Sequence, residues 1–216
     1  MFVVDLDQRG SRRGTDQVPA LLDRLRAVPA LRGFERTVGD EVQGVLDDAD
    51  DVVRLVLGVL RAGGWSVGVG AGPVDEPLPA SPRAGSGAAF VLAREAVEAA
   101  KSRARPVSLA VRGAEPGAAA DAEALLTLLA AVRARRTPAG WAVVDALDGL
   151  PDGTAPDAPA VLARPRPSVA APVQEDLAQT FGISQQAVSQ RLRAALRAEE
   201  VALHPLAARL LTQAAG

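Results

Sequence analysis

The chain has 216 residues, is 48% hydrophobic and 23% charged, and its 24 basic against 26 acidic residues leave a formal charge of −2. That length fits two compact units or one elaborated domain, and the near-neutral balance supplies no global pull toward nucleic acid or anionic lipid, so any DNA-binding surface must be local. The absence of cysteine excludes disulfides, thiolate metal sites and cysteine nucleophiles, and a single histidine, His204, disfavours a histidine metal cluster or a Ser-His-Asp triad.

Residues Met1 to about Val111 alternate short apolar runs with helical patterns, the rhythm of an α/β sandwich. Phe2 to Leu6 reads as a buried first strand; the acids at 5 and 7 keep the Phe2-Val3-Val4 run far short of a signal-peptide core. Thr15 or Asp16 can cap a helix with Val18, Leu21, Leu22, Leu25 and Val28 at helical spacing, closed by Pro29. Extended runs Leu31 to Val38 and Glu41 to Leu46 meet at Gly39-Asp40, a candidate hairpin turn. The acids of Asp47-Asp48-Ala49-Asp50-Asp51 precede a helix over Val52 to Arg61, where they suit the positive end of the helix dipole. Gly63-Gly64 stops that helix, and Trp65 to Ala71 forms a strand. The order is β-α-β-β-α-β, the ferredoxin-like split motif.

A loop of prolines and glycines runs from Gly72 to about Gly85, followed by a helix over Gly87 to Arg103 with Phe90, Ala93, Val97 and Ala100 at helical spacing, and a strand over Pro106 to Val111. Beyond this the pattern is helical. Asp121 to Arg136 carries Leu125, Leu128, Leu129 and Val132 on one stripe, suited to packing or to a homodimer seam. Thr137-Pro138 starts a helix through Trp141, Val144 and Leu147, and Gly149 to Pro172 holds six prolines and reads as a linker or long loop. Pro205 marks the start of a last short helix, Leu206 to Leu211, with His204 as a cap or surface residue; Trp65 and Trp141 read as core residues. No stretch approaches the roughly 18 to 20 apolar residues that span a bilayer. The expectation is therefore a soluble, cytoplasmic protein with no membrane partner.

The most specific local signal lies in residues 174 to 193. A helix-turn-helix needs a small residue where two helices cross, a residue tolerating positive φ in the turn, and an apolar residue on the inner face of the second helix. Ala178, Gly182 and Val188 meet these needs in order, with Leu177, Phe181, Ile183 and Leu192 completing the apolar interior. Ser184 can cap the second helix, whose outer face would show Gln185, Gln186, Ser189, Gln190 and Arg193, side chains suited to base edges and phosphates. From Ser184 to Ala198 there are three arginines, Arg191, Arg193 and Arg197, and no acid. Ser184 and these seven polar side chains are the expected contacts to double-stranded DNA, presented by a dimer to two half-sites. With the helix around Trp141, the stretch resembles the C-terminal part of the SatD family and sigma-region-4-like helix-turn-helix proteins; the resemblance implies that the Trp141 helix packs behind the two motif helices.

In a split β-α-β-β sheet the first and third strands are neighbours, so Asp5 and Asp40 can converge at one end, as a magnesium site beside substrate phosphates requires. Asp7 and Glu41 are further candidates. The arginines Arg9, Arg12 and Arg13 could contact phosphate or sit in a solvated loop. The runs Val3-Val4-Asp5-Leu6, Arg36 to Val42, Trp65 to Gly72 and Gly87 to Arg94 look like successive motifs of class III nucleotidyl cyclases. That resemblance implies that Asp5 and Asp40 hold magnesium bridging a nucleoside triphosphate and that Arg94 stands at a transition-state arginine position. Phe90 occupies the family's asparagine position, and Lys101, the one lysine, is no plausible counterpart of its purine-reading lysine, so cyclase activity is disfavoured while nucleotide or magnesium binding stays open. The SatD family shares this outline through Gly39-Asp40-Glu41-Val42-Gln43-Gly44 and Ser11-Arg12, which adds Glu41, Ser11 and Arg12 to the candidate ligand set.

The sequence thus leads to an α+β chain with a ferredoxin-like, cyclase-like domain over 1–112, connecting and possible dimerising helices over 115–148, a proline-rich linker over 149–172 and a helix-turn-helix region over 173–216. The leading expectation is a homodimeric DNA-binding transcription regulator, nucleoid-associated when bound, whose degenerate cyclase-like N-terminal domain senses a nucleotide or magnesium. The alternatives are a magnesium-dependent nucleotidyl cyclase or nucleotidyltransferase with a helix-turn-helix targeting module, and a protein-protein adaptor.

Overall fold

Local signals place most boundaries in the computed structural model, which describes residues 1–11, 14–148 and 171–216. The strands are β1 (Phe2–Gln8), β2 (Arg32–Arg36), β3 (Glu41–Leu46), β4 (Trp65–Ala71) and β5 (Leu109–Gly113). The helices are α1 (Val18–Leu25), α2 (Ala49–Ala62), α3 (Ala88–Ala100), α4 (Pro116–Ala134), α5 (Pro138–Leu147), α6 (Ala171–Phe181), α7 (Gln185–Ala194) and α8 (Arg197–Ala214). The chain is therefore α+β. Asp48 caps α2 by accepting the backbone N–H groups of Asp50 and Asp51, and those two acids occupy the first turn, where the helix dipole favours them.

The sheet runs β2-β3-β1-β4-β5. β1 lies antiparallel between β3 and β4, β2 is antiparallel to β3, and β5 is parallel to β4. Alternation along β1 sends Phe2, Val4 and Leu6 into a core shared with Val67, Val69, Leu109 and Val111 and with α1, α2, α4 and α8. Val3, Asp5 and Asp7 lie on the opposite face, which α3 covers. Gly68 and Gly70 permit that contact: a methyl group at Gly70 would stand 2.1 Å from the Ala89 carbonyl oxygen, and at Gly68 2.3 Å from the Val97 nitrogen.

Five expectations need correction. α1 ends at Leu25, short of Pro29. α2 begins at Ala49 rather than at Val52, because Asp48 caps it. β5 covers Leu109–Gly113 rather than starting at Pro106, because its pairing with β4 begins at Val67 opposite Leu109. α4 begins at Pro116 and buries Ala119, Ala122, Leu126, Leu129 and Ala130, leaving Leu128 57% exposed. Of the expected stripe only Leu129 is fully buried, so the buried face is displaced from it; alanines allow α8 and β5 to approach closely. α8 runs 18 residues with Pro205 inside it, and His204 is buried. Proline forfeits one backbone hydrogen bond, yet burial of Ala207, Ala208, Leu211 and Ala214 in the sheet core carries the helix through.

The region expected over 173–216 divides in its packing. α5, α6 and α7 share a separate apolar cluster of Val143, Val144, Leu147, Leu177, Ala178, Val188, Leu192 and Ala195, whereas α8 returns to the sheet. Most of the expected linker, 149–170, lies outside the described residues, and Pro172 stands at the start of α6. Among the described residues no helix is long and apolar enough to cross a membrane.

Candidate functional site

α6 and α7 meet at Gly182, whose φ of +61° is the left-handed conformation glycine adopts most readily. Ile183 N–H donates to the Ala178 carbonyl at 3.0 Å, closing the turn. Ser184 then caps α7, its hydroxyl accepting from Ala187 N–H at 3.2 Å. Val188 and Leu192 face the cluster with α5 and α6, which fixes the opposite side of α7 outward. There Ser184, Gln185, Gln186, Gln190 and Arg193 are exposed, and Ser189 and Arg191 are half-buried. These are amides, hydroxyls and guanidinium groups with no acid among them.

Arg197 does not belong to this surface. It is 5% exposed and donates to Asp148 at 2.6 Å, joining the start of α8 to the end of α5. Its charge is therefore spent inside the molecule. Trp141 is likewise not a simple core residue: the guanidinium carbons of Arg61, Arg136 and Arg133 lie 3.5, 4.8 and 5.2 Å from its ring centroid. Arg61 also grips Asp145 through two 2.6 Å hydrogen bonds.

A second concave surface of about 1430 Å³ opens at the end of the sheet, where β1 leaves and β3 and β4 begin. Asp7, Asp40, Ser11, Ser66, Lys101 and Arg103 are among its lining residues. The pairing of Asp7 with Glu41 brings the turn residue Asp40 to the same end as Asp7. Lys101 reaches in from the end of α3 and pairs with Asp7 at 2.8 Å and with Glu98 at 2.6 Å. Burial opposes the ammonium charge, but these carboxylates outweigh it and raise the lysine above its ordinary value. Asp7 is raised as well, by its burial, against the pull of Lys101.

Asp5 behaves differently from the expectation. It is fully buried and absent from the cleft lining, while Asp40 is half-exposed on the rim. The Gln43 side-chain amide donates to Asp5 Oδ1 at 2.8 Å, and Oδ2 has no partner among the described residues. Burial pushes the Asp5 carboxyl up to about 7. Asp5 is sealed from the cleft and Lys101 is already seated on Asp7, so the structure does not bring Asp5 and Asp40 together as the expected magnesium pair, and among the described residues no group of three or more candidate metal ligands gathers. Arg94 is exposed on α3 and Glu41 is half-buried opposite Asp7; neither lines the cleft, and Arg12 lies outside the described residues.

Sequence reasoning missed the role of Lys101 and Arg103 at the end of α3 and of Ser66 at the start of β4. The signal was present as Lys101-Ser102-Arg103 immediately after a helix, but only the topology sets that segment beside β1. Comparison with protein-family models, with characterised proteins and with solved structures finds no match to this chain.

Proposed function

We infer that the protein is a DNA-binding transcription regulator in which α6, the Gly182 turn and α7 act as a helix-turn-helix with α7 as the recognition helix. The observation that carries the reading is the division of α7 into an inner side, Val188 and Leu192, and an acid-free outer side of Gln185, Gln186, Gln190 and Arg193. Amides read adenine edges bidentately, and arginine reads guanine or phosphate. The packing of α5 against α6 and α7 supports the three-helix form of the motif. The β-α-β-β-α-β order and the strand arrangement β2-β3-β1-β4 support a ferredoxin-like reading of the N-terminal unit. Two copies would present α7 to half-sites about 34 Å apart on the nucleoid.

The test is anisotropy titration of the full chain against duplex fragments from upstream of its own coding region, at several salt concentrations. Arg193→Ala and Gln186→Ala each weaken specific binding by about tenfold or more, equivalent to roughly 1–3 kcal/mol per base or phosphate contact, with unchanged circular dichroism. Equal affinity of both variants and the parent for every fragment, or no binding by the parent, would sink the reading.

A further inference from the structure

The cleft at the sheet end carries charge that its own ion pairs do not absorb. Arg36 is matched by Asp16, Lys101 by both Asp7 and Glu98, and Arg105 by Glu123. Arg9 and Arg103 line the same space, are exposed, and have no ion-pair partner among the described residues. Ser66, 1% exposed, lines the cleft as well, and its hydroxyl has no hydrogen-bond partner there. A buried hydroxyl left without a partner is uncommon, because its desolvation goes uncompensated until a partner arrives. Gly10, Gly39 and Gly64, with φ of +76°, +63° and +79°, form parts of the wall without side chains that would crowd a ligand.

Two unmatched guanidinium groups that share one cleft with serine hydroxyls suit a phosphate monoester or diphosphate, the anion that arginine binds through parallel hydrogen bonds. Asp40 faces the same space, with no ion-pair partner among the described residues. A carboxylate there repels a bare anion and accepts hydrogen bonds from hydroxyl groups, so the ligand class narrows to a phosphorylated polyol. The geometry points to this cleft as a binding site for a small sugar phosphate or sugar-phosphate-containing metabolite, with its phosphate on Arg9 and Arg103 and its hydroxyls toward Asp40. Lys101 already supplies the cation beside Asp7, so binding needs no divalent metal. The site stands apart from α7, and its test involves no DNA contact by that helix.

Isothermal titration of the full chain in excess EDTA with ribose 5-phosphate, pyrophosphate and ribose tests the assignment. Ribose 5-phosphate and pyrophosphate bind, and ribose does not. The double variant Arg9→Ala/Arg103→Ala, folded by circular dichroism because both side chains are exposed, binds both phosphates about tenfold or more weakly. Asp40→Asn weakens ribose 5-phosphate several-fold and strengthens pyrophosphate. Binding of neither phosphate, binding only when magnesium replaces EDTA, equal affinity in the double variant, or loss in that variant of duplex-DNA binding alone would each overturn the inference.

Discussion

At Asp5 a carboxyl group sits where an apolar residue would ordinarily serve. Gln43 satisfies one oxygen, and burial between β1, β3 and α3 holds the group's pKa near 7 against an ordinary 3.8. The folded chain therefore binds a proton more tightly than the unfolded chain between these values, so stability is greatest below about pH 4 with respect to this group and falls as pH rises to about 7. A shift of that size corresponds to roughly 4 kcal/mol across the window. Asp5→Asn removes the titration while keeping an acceptor for Gln43. Urea unfolding at a series of pH values should show the parent losing markedly more stability between about pH 4 and pH 7 than the variant, whose remaining slope comes from other shifted carboxyls such as Asp7; parallel curves would show that Asp5 ionises in the fold as freely as in the unfolded chain.

At the level of elements, α3 rests its alanine face, Ala89, Ala93, Ala96 and Ala100, on β1, β4 and β5, and the close approach falls on Gly68 and Gly70. The atoms nearest an added methyl group there are helix backbone, which cannot rotate aside, so Gly70→Ala must displace α3 from the sheet. A cost of about 3 kcal/mol is expected in urea unfolding, whereas Gly33→Ala, with no atom within 4 Å of the new methyl, changes stability little; similar effects of the two would argue against the contact. Glycines at alternate positions of a strand are visible in the sequence, but which helix they admit is not. The same distinction explains what could be read in advance. Thr137, Gly182 and Ser184 set their boundaries through bonds to residues three to five positions away, and the outer face of α7 follows from helical spacing alone. The buried face of α4 and the full length of α8 depend on each other's company. Arg197 left the expected DNA surface because its partner Asp148 is 49 residues distant, and Asp5 left the cleft because α3 closes over it.

Over the whole molecule, the α5–α7 unit is inserted between two helices that pack against each other and against the sheet, and a buried ionic junction holds it there. Glu200 of α8, with a side chain 1% exposed, accepts from Arg133 at 2.7 Å and from Arg136, both at the end of α4. Arg136 also donates to the Ala195 carbonyl at the end of α7 at 2.8 Å, and His204 stands 3.3 Å from Glu200. Burial alone would raise the Glu200 carboxyl; the contacts of His204, Arg133 and Arg136 outweigh it and hold the group well below the usual carboxylate range. Its contribution is thus fully present above the ordinary carboxylate pKa and is lost progressively as pH falls below it, opposite in sign to that of Asp5. Glu200→Gln keeps the shape but leaves two buried guanidinium groups without a counter-charge, a change that costs about 3–5 kcal/mol in comparable pairs. Because Arg136 also binds the end of α7 and both guanidinium groups flank Trp141, the loss concentrates at the junction. Hydrogen exchange should show α5, α6 and α7 of the variant opening at lower free energy while β1 and β4 stay protected, and Glu199→Gln, exposed one position away, should leave both patterns unchanged. Uniform loss of protection across sheet and helices would mean that Glu200 supports the whole core rather than the orientation of the α7 face.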